Sequence, residues 1–229
     1  MERLCPRSRE DLLRLGVQTP CEPGRVLMRQ GEPGSMVYLL RSRDRRLSAC
    51  VKITSDDGKL IAIRVSGDVI GELGALVPDS PRSNTATVCT ATIAHRIPGV
   101  VFMAFLESHR DALLVLCRTL ADRLAWSDQR RLDFAGCPVP IRLARLLVEF
   151  VESWGRRVDE GWEITVRLSY EELGNLIGAG SDAVGLAMRE MRDRKAVCLY
   201  NRHVIVRDVE CLRRFTEFDK NSTKDPRET

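Results

Sequence analysis

The sequence predicts an α+β chain in which a β-roll is followed by one long helix and then by a small helical unit closed by a hairpin. Three observations carry that prediction. Between residues 25 and 97, short apolar runs alternate with turns rich in glycine and proline, the mark of an all-β unit. After Pro98-Gly99 the apolar period lengthens from two residues to about 3.6. Beyond Pro138 and Pro140, amphipathic stretches of helical period return, and two of them are separated by Gly178-Ala179-Gly180. A chain of 229 residues with 44% hydrophobic content has room for two domains of this kind.

In chain order, an amphipathic segment at residues 9–15 leads to a turn at Pro20-Cys21-Glu22-Pro23-Gly24. Strands are expected at residues 25–28, 36–40, 49–53 and 60–63, with turns at Gly31-Glu32-Pro33-Gly34 and Asp56-Asp57-Gly58. The run Arg41, Arg43, Arg45 and Arg46 reads as a solvated loop. Strand pattern continues over 87–93 and 95–97. A short helix then fits 101–107 and a long one 110–134, along which Leu113, Cys117, Leu120, Leu124, Ser127, Arg131 and Phe134 recur as a heptad seam. One long helix beside a small roll has more apolar surface than the roll covers, so a second copy of the chain is the expected partner.

Gly136, Pro138 and Pro140 break that helix and set a boundary. A helix over 141–154 and a strand over 162–168 follow. Ser169-Tyr170-Glu171-Glu172 is a capping box that opens a helix through Ile177. After the glycine turn, Ser181 is placed to cap a further helix through Met191. Strands at 196–199 and 203–206 complete a wing, and helix, glycine turn and helix at this length is a helix-turn-helix signature. The resulting division is 1–108, 109–136, 137–214, and a charged flexible tail over 215–229.

Composition excludes several classes. No apolar run approaches the roughly 18 residues that span a bilayer, and the first residues lack a signal-peptide core, so a cytoplasmic protein without membrane contact is expected. The 36 basic residues are nearly matched by 32 acidic ones, which allows a local basic patch without demanding it. The eight cysteines are scattered without a Cys-x-x-Cys pair, and His95, His109 and His203 are isolated, so no metal is expected. Walker loops, dinucleotide fingerprints and His-Glu-x-x-His are all missing, which argues against an enzyme.

The stretch with chemistry is Gly67-Asp68-Val69-Ile70-Gly71-Glu72-Leu73-Gly74, followed by Arg82-Ser83. Glycines admit close backbone approach, arginine offers a planar fork of donors, and a glutamate accepts from a sugar hydroxyl, which together suit a nucleotide. This run resembles the phosphate-binding cassette of cyclic-nucleotide-binding domains in the cyclic-AMP receptor and fumarate-nitrate-regulator superfamily of bacterial transcription factors. The resemblance implies that Gly71 and Glu72 face the ribose, that Arg82 and Ser83 hold the cyclic phosphate, and that Leu73 is a further ligand-binding candidate. It also implies that Ser127 and Asp128 fall where the base is contacted, with cyclic AMP or cyclic GMP as the ligand. Asn84 and Thr85 intervene before the following Ala86-Thr87-Val88, so a register in which Asn84 takes the arginine's place stays open.

Residues 140–207 resemble the winged helix-turn-helix of the same superfamily, so the combined likeness covers nearly the whole chain. It implies a homodimer on DNA, with RNA polymerase as a further candidate partner. The candidate DNA-facing residues are Ser169, Ser181, Asp182, Leu186, Arg189, Arg192 and Arg202, with Arg194, Lys195 and Arg207 as additional phosphate anchors. Ser181, Asp182 and Leu186 stand where the superfamily commonly has an Arg-Glu-x-x-x-Arg reading pattern. An arginine–guanine contact contributes on the order of 1–3 kcal/mol of discrimination, so salt-sensitive binding with modest sequence selectivity is expected. The alternatives to a ligand-gated regulator are one that has lost its ligand and a thiol-redox sensor using Cys89 or Cys117.

Overall fold

The computed structural model describes residues 4–44, 47–200 and 203–222, which form two compact units divided between Trp126 and Ser127. The first comprises α1 (Pro6–Arg14), β1 (Val17–Cys21), β2 (Val26–Met28), β3 (Val37–Ser42), β4 (Cys50–Thr54), β5 (Leu60–Val65) and β6 (Val69–Ile70). It continues through α2 (Leu73–Leu76), β7 (Thr85–Val88), β8 (Thr92–Ile97), α3 (Gly99–Ser108) and the first part of α4 (Arg110–Gly136). The strands make two antiparallel sheets, ordered β1-β8-β3-β6 and β2-β7-β4-β5.

β3 shows how sequence becomes packing. Val37 and Leu39 join Phe102, Phe105, Leu106, Val115 and Leu116 of α3 and α4, while Tyr38 and Leu40 join Val51, Ile53, Ala86 and Val88 of the second sheet. A strand covered on both faces must be apolar throughout, which explains why 36–40 shows no alternation. Phe102, fully buried, contributes roughly 1.5–3 kcal/mol by that burial.

β1 occupies part of the stretch read from sequence as a turn. It is an edge strand on β8, and an edge is where Pro20 is tolerated because one side of the strand needs no donors. The single helical turn α2 also sits inside the cassette, which the sequence presents only as a loop.

The second unit contains the last part of α4, α5 (Val139–Trp154), β9 (Arg156–Val158), β10 (Gly161–Ile164), α6 (Tyr170–Ile177), α7 (Ser181–Asp193), β11 (Val197–Tyr200), β12 (His203–Val206) and α8 (Val209–Ser222). Pro138 ends the preceding segment and caps α5, whose first turn holds Pro140, where a missing N–H costs nothing. The strand expected over 162–168 is shorter and belongs to a four-stranded sheet ordered β11-β12-β10-β9. The helix cap expected at Ser181 is Gly180 instead, with Ser181 the first helical residue. α8 runs past residue 215, where the sequence reading starts a flexible tail; Leu212 and Phe215 are buried and anchor it. Among the described residues no helix is long and apolar enough to cross a membrane.

Candidate functional site

The cassette is organised around Arg82. Gly71 has φ +78°, and a Cβ there would lie 2.7 Å from the Met36 carbonyl oxygen and 2.8 Å from Arg82 Nη1. At Gly74 a Cβ would lie 2.4 Å from the Gly34 carbonyl oxygen and 3.1 Å from the same Nη1. The two glycines therefore make room for the guanidinium and for the adjacent turn. Arg82 is 7% exposed; Nη1 donates to the Gly71 carbonyl at 2.9 Å and Nη2 to the Met36 carbonyl at 2.7 Å. Its backbone is pinned too, donating to Glu32 and accepting from Gly31.

A cavity of about 270 Å³ opens beside it. Its lining brings together Gly71, Glu72, Leu73, Arg82 and Ser83 with Met28, Ile53, Arg64 and Asn84, and with Leu120, Arg123 and Leu124 of α4. β7 starts at Thr85, so both register candidates, Arg82 and Asn84, precede the strand and both line the cavity. The lining combines apolar side chains with three arginines and a carboxylate, a composition suited to a ligand with an aromatic and an anionic part.

Sequence reasoning missed Arg123. Its Nη1 donates to Glu72 Oε1 at 2.7 Å, its Nη2 to the Val69 carbonyl at 2.8 Å, and Asp68 lies at 3.8 Å. Glu72 is 6% exposed, so this is a mostly desolvated pair that ties the cassette to α4. The only signal in the sequence was an arginine set between Leu120 and Leu124 on the apolar side of the helix; its partner lies 51 residues away. The lining ends at Leu124. Ser127 and Asp128 lie farther along the helix and do not line the cavity; Asp128 is exposed and pairs with Arg131 at 3.6 Å, a contact of little energetic weight.

In the second unit, Ser169 Oγ accepts from the Glu172 N–H at 3.1 Å and the Ser169 N–H donates to Glu172 Oε2 at 2.9 Å, completing the capping box. α6 ends at Gly178 with φ +63°, and Arg142 Nη1 donates to the carbonyls of Ile177 and Gly178 at 2.6 and 3.0 Å. The Phe134 ring fills the space a Cβ at Gly178 would need, and Arg142 lies over that ring at 5.7 Å.

α7 buries Val184, Ala187, Met188 and Met191. Its other face exposes Ser181, Asp182, Leu186, Arg189 and Arg192. Leu186 is 63% exposed, an apolar side chain on an otherwise polar face. Arg194 is engaged within the fold, donating to Glu190 at 2.7 Å and lying over Phe215. Lys195 and Arg207 are exposed. Arg202 lies outside the described residues, as do Arg45 and Arg46.

Comparison with known proteins agrees with this division. Residues 18–109 match the cyclic nucleotide-binding domain family, and residues 141–215 match the Crp-like helix-turn-helix domain family. A CRP-like cAMP-activated global transcriptional regulator of Mycobacterium tuberculosis is 28% identical over 195 residues, covering 83% of this chain and 84% of that protein. Among solved structures, the c-di-GMP-responsive global regulator CLP of Xanthomonas campestris superposes with a TM-score of 0.68 at 19% identity, over 88% of this chain and 99% of that one. FixK2 of Bradyrhizobium japonicum gives a TM-score of 0.68 at 15% identity, over 88% and 97%.

Proposed function

Because the chain belongs to the Crp/Fnr superfamily of transcription regulators, we propose that it is a cytoplasmic homodimer whose DNA binding is controlled by a cyclic nucleotide in the cassette cavity. The observation that carries this reading is the convergence of Gly71, Glu72, Leu73, Arg82 and Ser83 with Arg123 of α4 on one cavity. The cyclic phosphate lies toward Arg82 and Ser83, and a ribose hydroxyl donates to Glu72. Glu72 is already shared with Arg123, so ligand entry changes the pairing between cassette and helix. Such a ligand shifts the DNA-competent state only by as much as it prefers that state.

On the DNA side, Ser181, Asp182 and Leu186 face the major groove, and Leu186 packs on thymine methyl groups. Ser169, Arg189, Arg192, Lys195, Arg202 and Arg207 hold phosphates. RNA polymerase is the further partner in this reading. The cassette residues bind and perform no chemistry.

One observation favours a second reading, a regulator that works without a nucleotide: two of the Arg82 N–H groups are already committed to backbone carbonyls. Calorimetric titration with cyclic AMP and cyclic GMP separates the two. Micromolar binding that Arg82→Gln weakens at least tenfold, with thermal unfolding showing the variant folded, supports the sensor. An absence of heat and of thermal stabilisation with either nucleotide supports the second reading.

A further inference from the structure

β4 and β7 pair with the register Val51↔Val88, Lys52↔Thr87, Ile53↔Ala86 and Thr54↔Thr85. The ladder continues one step further, because the Cys89 N–H donates to the Cys50 carbonyl at 2.8 Å. Cys50 and Cys89 therefore stand opposite each other one step past the end of β7, joined by this one bond, since the Cys50 N–H donates to Thr90 Oγ1 at 2.8 Å. Val51 and Val88 both face the core between the sheets, and side chains alternate along a strand, so both cysteines project from the opposite face. Directly opposed residues of an antiparallel pair have Cα atoms roughly 4.5–5.5 Å apart, within the span a disulfide bridges. Both side chains carry thiols.

The two positions differ in access. Cys50 is fully buried, whereas Cys89 is partly exposed. That asymmetry suits a peroxide-reactive cysteine backed by a resolving one.

We propose that Cys50 and Cys89 are an oxidation site, closing to a reversible intramolecular disulfide under hydroperoxide. With hydrogen peroxide, the Cys89 thiolate takes one oxygen to become a sulfenic acid, and one water leaves. The Cys50 thiolate then attacks that sulfur and expels the hydroxyl, which departs as a second water with the remaining proton. Two thiols are oxidised and one peroxide is reduced to two waters. The bond clamps β4, which carries Ile53 to the cassette cavity, to β7, which follows Asn84 of the same lining. The inference stands on strand register and does not depend on which ligand the cavity takes.

The test is differential alkylation of the full chain. Reduced protein is treated with one equivalent of hydrogen peroxide, quenched, denatured, labelled with N-ethylmaleimide and mapped by mass spectrometry, with dithiothreitol as the reversal arm. Two of the eight thiols should lose their label together, in a linked Cys50–Cys89 peptide that dithiothreitol separates. Cys89→Ser should restore label at Cys50, and in Cys50→Ala dimedone should trap the sulfenic acid at Cys89. Full labelling of Cys50 in oxidised wild-type protein overturns the proposal, whatever the variants do. So does oxidation confined to a Cys117 link between two chains.

Discussion

Arg82 and His95 show how differently two buried polar side chains can be accommodated. Arg82 donates to the carbonyls of Gly71 and Met36, which the glycines beside it leave within reach. His95 is 1% exposed and its Nδ1 has no hydrogen-bond partner. Burial lowers its pKa from the ordinary 6.5, the Arg41 charge adds to that, and a hydrogen bond with the Leu15 backbone opposes it. The imidazole is thus held neutral. In the unfolded chain it protonates as pH falls through 6.5, while the folded chain resists, so the unfolded state binds more protons and stability declines with acid in that window. His95→Gln should flatten this decline by up to about 1.4 kcal/mol per pH unit, measured by denaturant unfolding from pH 7 to 5. An unchanged slope would place the acid sensitivity elsewhere.

At the scale of elements, the helix-turn-helix is held by its joints. The capping box starts α6, Gly178 ends it in the left-handed region, and α7 follows from Gly180. Gly178 has a double constraint, because its φ is +63° and Phe134 carbons come within about 3 Å of any added Cβ. Left-handed backbone alone costs an alanine roughly 1–2 kcal/mol, so Gly178→Ala should destabilise by at least that amount in urea unfolding. Displacement of Phe134 should also lower DNA affinity in the same variant. A neutral substitution would show that this turn is more plastic than its geometry indicates.

For the whole molecule, the exposed side of α4 matters most. Leu113 and Leu124 of the heptad seam are 41% and 62% exposed, and Leu114 is 45% exposed, whereas Val115 and Leu116 belong to the core of the first unit. In the proposed homodimer a second copy packed along this seam would remove that apolar surface from water. Leu113→Glu, at a position outside both core clusters and the cavity lining, should raise the dimer dissociation constant at least tenfold, about 1.4 kcal/mol. Analytical ultracentrifugation measures it, with thermal unfolding reporting on the roll. A variant that sediments as the wild-type chain would remove the seam from the interface.

Sequence by itself determined the order of roll, long helix and winged helix-turn-helix, because period, glycine and proline punctuation and the Ser169–Glu172 capping box are local signals. It also singled out five residues that the fold gathers at one cavity, since glycine, glutamate and arginine at that spacing carry their chemistry in their types. Only the tertiary structure decided what those residues touch. Arg82 finds carbonyls at Gly71 and Met36, Arg123 finds Glu72, and Phe134 finds Gly178. Most of these pairings join residues tens of positions apart, and no local pattern encodes them. They arise when sheet register and helix packing bring distant side chains within reach, which is a property of the folded chain and not of any segment of it.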